Sequence, residues 1–207
     1  MSMSWKSLGL IGLLGGLGGA INVWLCYVKL PGVPPYFTGF KSHIMLAGMA
    51  HGALLALIPV TSAWLLRSKR WWVNMLAIPI VGWVSGWLSF IPFDAYFGRS
   101  FHLVTLVWPF FRPLWTPYAY FGLVGGLYYL LLNIERLLSG NAILRHMFWG
   151  SFGGFLGSLG WWAFFKPWWF SLIHGTIWGS LVGFGVWKAS VRGQGAQTKS
   201  TKFAIGV

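Results

Sequence analysis

Leu8-Gly-Leu-Ile-Gly-Leu-Leu-Gly-Gly-Leu-Gly-Gly-Ala-Ile-Asn-Val-Trp-Leu-Cys-Tyr-Val28 is a run of 21 residues without a charge. A helix of about 20 apolar residues spans the ~30 Å hydrocarbon core of a bilayer, because each residue rises about 1.5 Å. Lys6 precedes the run, which is too long for the core of a secretion signal and lacks a small-x-small cleavage site. It therefore reads as a retained membrane helix. Five more apolar runs follow, at about 43–66, 72–91, 117–134, 143–165 and 168–188. Prolines and glycines inside them are admissible, since neighbouring helices can satisfy the freed backbone groups. The expected fold is an all-α polytopic membrane bundle of six transmembrane helices over residues 1–191. A basic cytoplasmic tail at 192–207 follows it, disordered or lipid-associated by composition.

The rest of the composition agrees. Hydrophobic residues make up 57% of the 207 and charged residues 8%, against roughly 45–50% and 25% in a soluble domain. A chain this size cannot hide so much apolar surface in a core of its own. Asp94 and Glu135 are the only acidic residues, which excludes paired-carboxylate catalysis, carboxylate-rich metal cages and most proton relays. A single cysteine excludes an internal disulfide and a cysteine zinc site. No phosphate-binding loop or nucleotide fingerprint is present. The net charge of +13 is scattered over short loops and the tail, so it points to anionic lipid headgroups and not to nucleic acid.

Basic residues also orient the chain. Ten of the 15 (Lys6, Arg67, Lys69, Arg70, Arg136, Arg145, Lys188, Arg192, Lys199, Lys202) fall on one side of the six-span arrangement. Lys29, Lys41, Arg99, Arg112 and Lys166 fall on the other. The positive-inside rule then places both termini in the cytoplasm of a cell (inner) membrane. Breaks near 70 and 140 divide the chain into hairpin thirds, 1–70, 71–140 and 141–191. Trp24-Leu-Cys-Tyr-Val-Lys29-Leu-Pro31 matches Trp161-Trp-Ala-Phe-Phe-Lys166-Pro167, and Gly86-Trp87-Leu-Ser-Phe-Ile-Pro92 is a looser third copy. The return helices carry Ala50-His51-Gly52, Val124-Gly125-Gly126 and Ile173-His174-Gly175 at comparable depth. These matches predict repeated helical hairpins.

Glycines four apart make flat helix faces on which another backbone can lie. Gly12 and Gly16, Gly15 and Gly19, Gly150 and Gly154, Gly153 and Gly157, and Gly175, Gly179 and Gly183 have this spacing. Packing within the chain is the first expectation, and self-association or contact with other membrane subunits the second.

His51 and His174 are the sharpest chemical signal. Each lies inside a return helix, about 9–12 Å below its outer end at 1.5 Å per residue. Two imidazoles at one depth can ligate the two faces of a haem or other tetrapyrrole, with Lys41, Lys166 and Arg112 on the propionate side. They can equally contact a polar substrate, or simply hydrogen bond inside the bundle. His43 and His146 sit near span ends, where an imidazole reaches headgroups.

Two short stretches resemble known families. Trp24…Tyr27…Lys29-Leu30-Pro31…Pro34-Pro35 resembles the start of the tryptophan-rich sensory proteins. That resemblance implies porphyrin binding but also five spans, against the six counted here. Gly82-Trp83-Val84-Ser85-Gly86 together with His174-Gly175 resembles the Gly-x-Ser-Gly and the last-helix base of rhomboid proteases, which implies a Ser–His dyad. The serine departs from that spacing by one residue, a turn of about 100° on a helix, and the family's His and Asn on the second helix are missing. An enzyme is therefore not the expectation. The sequence reads as a non-catalytic integral membrane protein, a subunit of a larger assembly that holds lipid or a tetrapyrrole. The alternative is a small permease or solute-binding component whose cavity opens outward past the 92–117 loop.

Overall fold

The computed structural model describes residues 4–27, 42–66, 70–96, 125–130, 132 and 168–204. All the described secondary structure is helical. Helix α1 is Trp5–Tyr27, α2 is Ser42–Leu65, α3 is Trp71–Tyr96 and α4 is Trp168–Ala204. Residues 125–130 form a further helical segment. Stretches of α1, α2 and α3 (Trp5–Leu25, Ser42–Leu65 and Trp71–Ser89) are long and apolar enough to cross a membrane. The expected span at 143–165, the turn at 136–145 and most of the 92–117 loop lie outside the described residues.

Helix α1 begins where Ser4 can cap it. The Ser4 carbonyl accepts from the Ser7 and Leu8 amides at 2.9 and 3.1 Å, and Ser4 Oγ accepts from the Ser7 amide at 3.2 Å. Helix α3 starts in the same manner at the Arg70 carbonyl, reached by the Val73 amide at 3.0 Å. It then runs through Pro79 and Pro92 to Tyr96, five residues beyond the expected span end at 91. A proline removes one backbone donor, and the bonds on either side carry the helix past it. Helix α4 differs from expectation more. It continues without a break through the basic, glycine-containing segment whose composition reads as disordered or lipid-associated, and so departs from the first of those two readings. Once a long helix is nucleated, each added residue costs little and gains a hydrogen bond.

The α1–α2 crossing is made by glycines. A Cβ at Gly15 would lie 2.7 Å from both the Ala56 Cβ and the Gly52 carbonyl oxygen. One at Gly19 would run into the Gly48 carbonyl, and one at Gly52 would lie 2.9 Å from the Gly19 Cα. No side chain fits there without moving a backbone. Gly12 faces Leu57 and Gly16 faces the Met49 carbonyl. Both glycine pairs of α1 are therefore covered by α2, within the chain.

Helix α2 also packs on α3, and α4 packs on α1, while α2 and α4 meet mainly through side chains. On the α4 side, Gly18 lies 3.0 Å from the Trp178 Cα, measured from where its Cβ would be. Gly175, Gly179 and Gly183 are all buried. One core joins Ile11 of α1, Leu55, Ala56 and Val60 of α2, Tyr128, and Trp178, Val182 and Val186 of α4. Tyr128 meets Trp178 edge to face, with centroids 5.7 Å apart. A second core joins Ala63, Ala77, Val81 and Tyr129. The outer faces are apolar too. Leu13 and Leu17 of α1, and Met75, Leu76 and Ile80 of α3, are exposed, as they must be on helices whose solvent is lipid.

Candidate functional site

Five buried polar side chains stand out: Ser7, His51, Ser85, Ser89 and His174. In hydrocarbon each needs a partner, because an unmet polar group there costs several kcal/mol. His51, Ser85 and Ser89 place their side chains on main-chain carbonyls. His51 Nδ1 lies 2.7 Å from the Ser89 carbonyl oxygen, so that ring nitrogen carries the proton and donates. Ser85 Oγ donates to the Val81 carbonyl at 2.6 Å. Ser89 Oγ donates to the Gly86 carbonyl at 3.3 Å. These serine bonds run back along α3, the usual way a hydroxyl is satisfied inside an apolar helix.

Two further ties cross between helices. Asn22 Nδ2 of α1 donates to the His174 carbonyl of α4 at 3.1 Å. Trp178 Nε1 of α4 donates to the Gly52 carbonyl of α2 at 3.2 Å. Near the other end of α3, Tyr129 donates its hydroxyl proton to Asn74 Oδ1 at 2.9 Å. Asn22 and Asn74 are amides in apolar helices, and sequence reasoning passed over both. Asn22 is the one amide in the 8–28 run, which was a usable signal, since polar residues in spans are seldom idle.

His51 lies in the seam between α2 and α3, held against Ser89. His174 lies beside α1, its carbonyl held by Asn22. The two histidines are thus tied into different seams, α2–α3 and α4–α1. Lys41, Lys166 and Arg112, expected on the propionate side of a tetrapyrrole, lie outside the described residues. His43 is exposed at the start of α2. Among the described residues no group of three or more His, Cys, Asp or Glu is placed to hold a metal ion. Ser85 is wholly buried, its hydroxyl turned to Val81, and Gly125 packs directly over it.

The opposite end of the bundle is basic and aromatic. Lys6, Arg70 and Trp72 are exposed there, with Trp5 at 88% and Trp71 at 77%. Indoles and cations at helix ends sit at headgroup level, where one face of the ring is apolar and the N–H is wet. Together the helices and their apolar faces define a membrane-embedded helical protein. No protein-family model matches the chain, and no curated protein and no solved structure matches it either.

Proposed function

We propose that the protein is a non-catalytic subunit of a larger membrane assembly, built as three hairpins of six transmembrane helices with both termini in the cytoplasm. The observation that carries this reading is where the buried polar side chains go. His51, Ser85, Ser89, Asn22 and Trp178 all donate to main-chain carbonyls. The bonds from His51, Asn22 and Trp178 run between helices and hold them together, while the two serines are satisfied within α3. The exposed positions of α1 from Leu13 to Trp24 and of α3 from Trp71 to Trp83 are apolar, suited to lipid and to neighbouring membrane helices.

The hairpin arrangement has its own support. Gly19 stands five residues before Trp24, as Gly82 stands five before Trp87. A Cβ at Gly52 would meet the Gly15 carbonyl oxygen and the Gly19 Cα. A Cβ at Gly126 would meet the Ile78 carbonyl oxygen at 3.2 Å and the Gly82 Cα at 3.5 Å. In both hairpins the return-helix glycine thus touches a carbonyl and the Cα one turn further on, at the same distance from the tryptophan.

The test is extraction of the full chain from its native membrane in a mild detergent, followed by native mass spectrometry. The expected result is a complex with other membrane proteins or further copies of the chain, reproducible across detergents. A monomer that supports solute uptake in proteoliposomes would overturn the subunit reading in favour of a permease.

A further inference from the structure

We infer that the hairpins form a cyclic array in which His51 and the Asn22–His174 pair are quasi-equivalent ties between successive hairpins, acting independently and not as two ligands of one group. The inference rests on the three-hairpin reading above and extends it to the role of the two histidines.

Seam order is the first ground. The return helix of the first hairpin, α2, packs on α3, the outward helix of the second. The return helix of the last hairpin, α4, packs on α1, the outward helix of the first. In both described seams a return helix thus leans on the next outward helix, the last of them on the first. Return helices also meet at the centre, where Leu55, Tyr128 and Trp178 share one core. The middle of such an array is occupied by apolar and aromatic side chains.

Polar contacts follow the same order. In the α2–α3 seam, the return helix donates from His51 to the Ser89 carbonyl. In the α4–α1 seam, the outward helix donates from Asn22 to the His174 carbonyl. His51 and His174 occupy the same position in their repeats, each followed by glycine. When Gly19 is laid on Gly82, Asn22 falls on Ser85, one helical turn before Ser89. The two ties therefore lie within a turn of equivalent places. The second return helix has Gly125 at the histidine position, and Ser85 of α3 fills the space where its Cβ would stand. In a cyclic array of three, equivalent positions are related by about a third of a turn. Opposed axial ligands need a half turn and a shared plane between them.

A double-mutant cycle on the isolated full-length protein decides the matter. His51→Leu and Asn22→Leu should each lower the thermal midpoint in detergent by several degrees, and the double variant should lose the sum. His51→Asn, which keeps a donor near the Nδ1 position, should recover at least half of the His51→Leu loss. Protein purified with haem supplied during expression should show no Soret band. Should leucine prevent assembly, the cycle is run with His51→Ala and Asn22→Ser under the same criterion. A double variant no worse than either single one would overturn the inference. So would a Soret band abolished separately by His51→Ala and by His174→Ala. Isolation as a partner-free monomer would sink the subunit reading and leave this cycle standing.

Discussion

An imidazole inside a bilayer has to be hydrogen bonded, and His51 is held by a carbonyl 2.7 Å away on a neighbouring helix. Such a tie contributes less than its surroundings suggest, because the separated helix finds partners of its own. Measured interhelical bonds in membranes run from about 0.6 to 2 kcal/mol. Trp178→Phe tests that scale, as it removes the bond to the Gly52 carbonyl and keeps most of the ring that packs on Tyr128. The expected loss of stability in detergent is about 1–2 kcal/mol, and a loss beyond about 4 would mean that the indole matters chiefly through packing. Ser85 offers the opposite case. Its hydroxyl is satisfied within its own helix, so Ser85→Ala should change stability by less than about 1 kcal/mol. An accompanying loss of a proteolytic activity would revive the dyad reading.

Between helices, backbone approach decides. Gly19 and Gly52 sit where the main chains of α1 and α2 meet, so Gly19→Leu or Gly52→Val must part the helices. We expect a loss of more than about 3 kcal/mol, or failure to assemble, measured by thermal unfolding and by recovery after detergent extraction. Gly9 is the control on the same helix, since a Cβ there would meet nothing within 4 Å. Gly9→Ala should leave stability unchanged or raise it by about 0.5–1 kcal/mol, because alanine stiffens the unpacked helix. If both substitutions behaved alike, α1 would not be packed on α2 by its glycine face.

For the molecule as a whole, the basic residues make a prediction about sidedness. Reporter fusions after residue 68 and at the C-terminus should read cytoplasmic, and a fusion near residue 105 should read external. An external reading at residue 68 would overturn the orientation and the hairpin order together. The exposed indoles of Trp5 and Trp71, beside Lys6 and Arg70, add a second expectation at this scale. Replacing both tryptophans with alanine should weaken retention of that helix end at the headgroup level, seen as faster hydrogen exchange of the Ser7 and Val73 amides in nanodiscs.

Sequence alone determined the environment and much of the helix placement. Charge-free runs of about 20 residues admit one solvent, and the bounds expected for the first three spans fall within a few residues of α1, α2 and α3, apart from the end of α3. There, and in the tail, helix continues past prolines, glycines and charges that composition reads as stops. Local residues vote on where helix begins, while a long nucleated helix carries on through weak positions. The histidines were legible as buried polar groups, and their partners were not. Ser89 and Asn22 lie on other helices, tens of residues or more away in the chain, and periodicity has no term for a contact of that kind. The glycine faces were legible as close-packing surfaces, but a flat stripe looks the same toward a second copy and toward a neighbouring helix. Only the tertiary structure decided that α2 covers those of α1, because which backbones meet depends on how the helices close against one another.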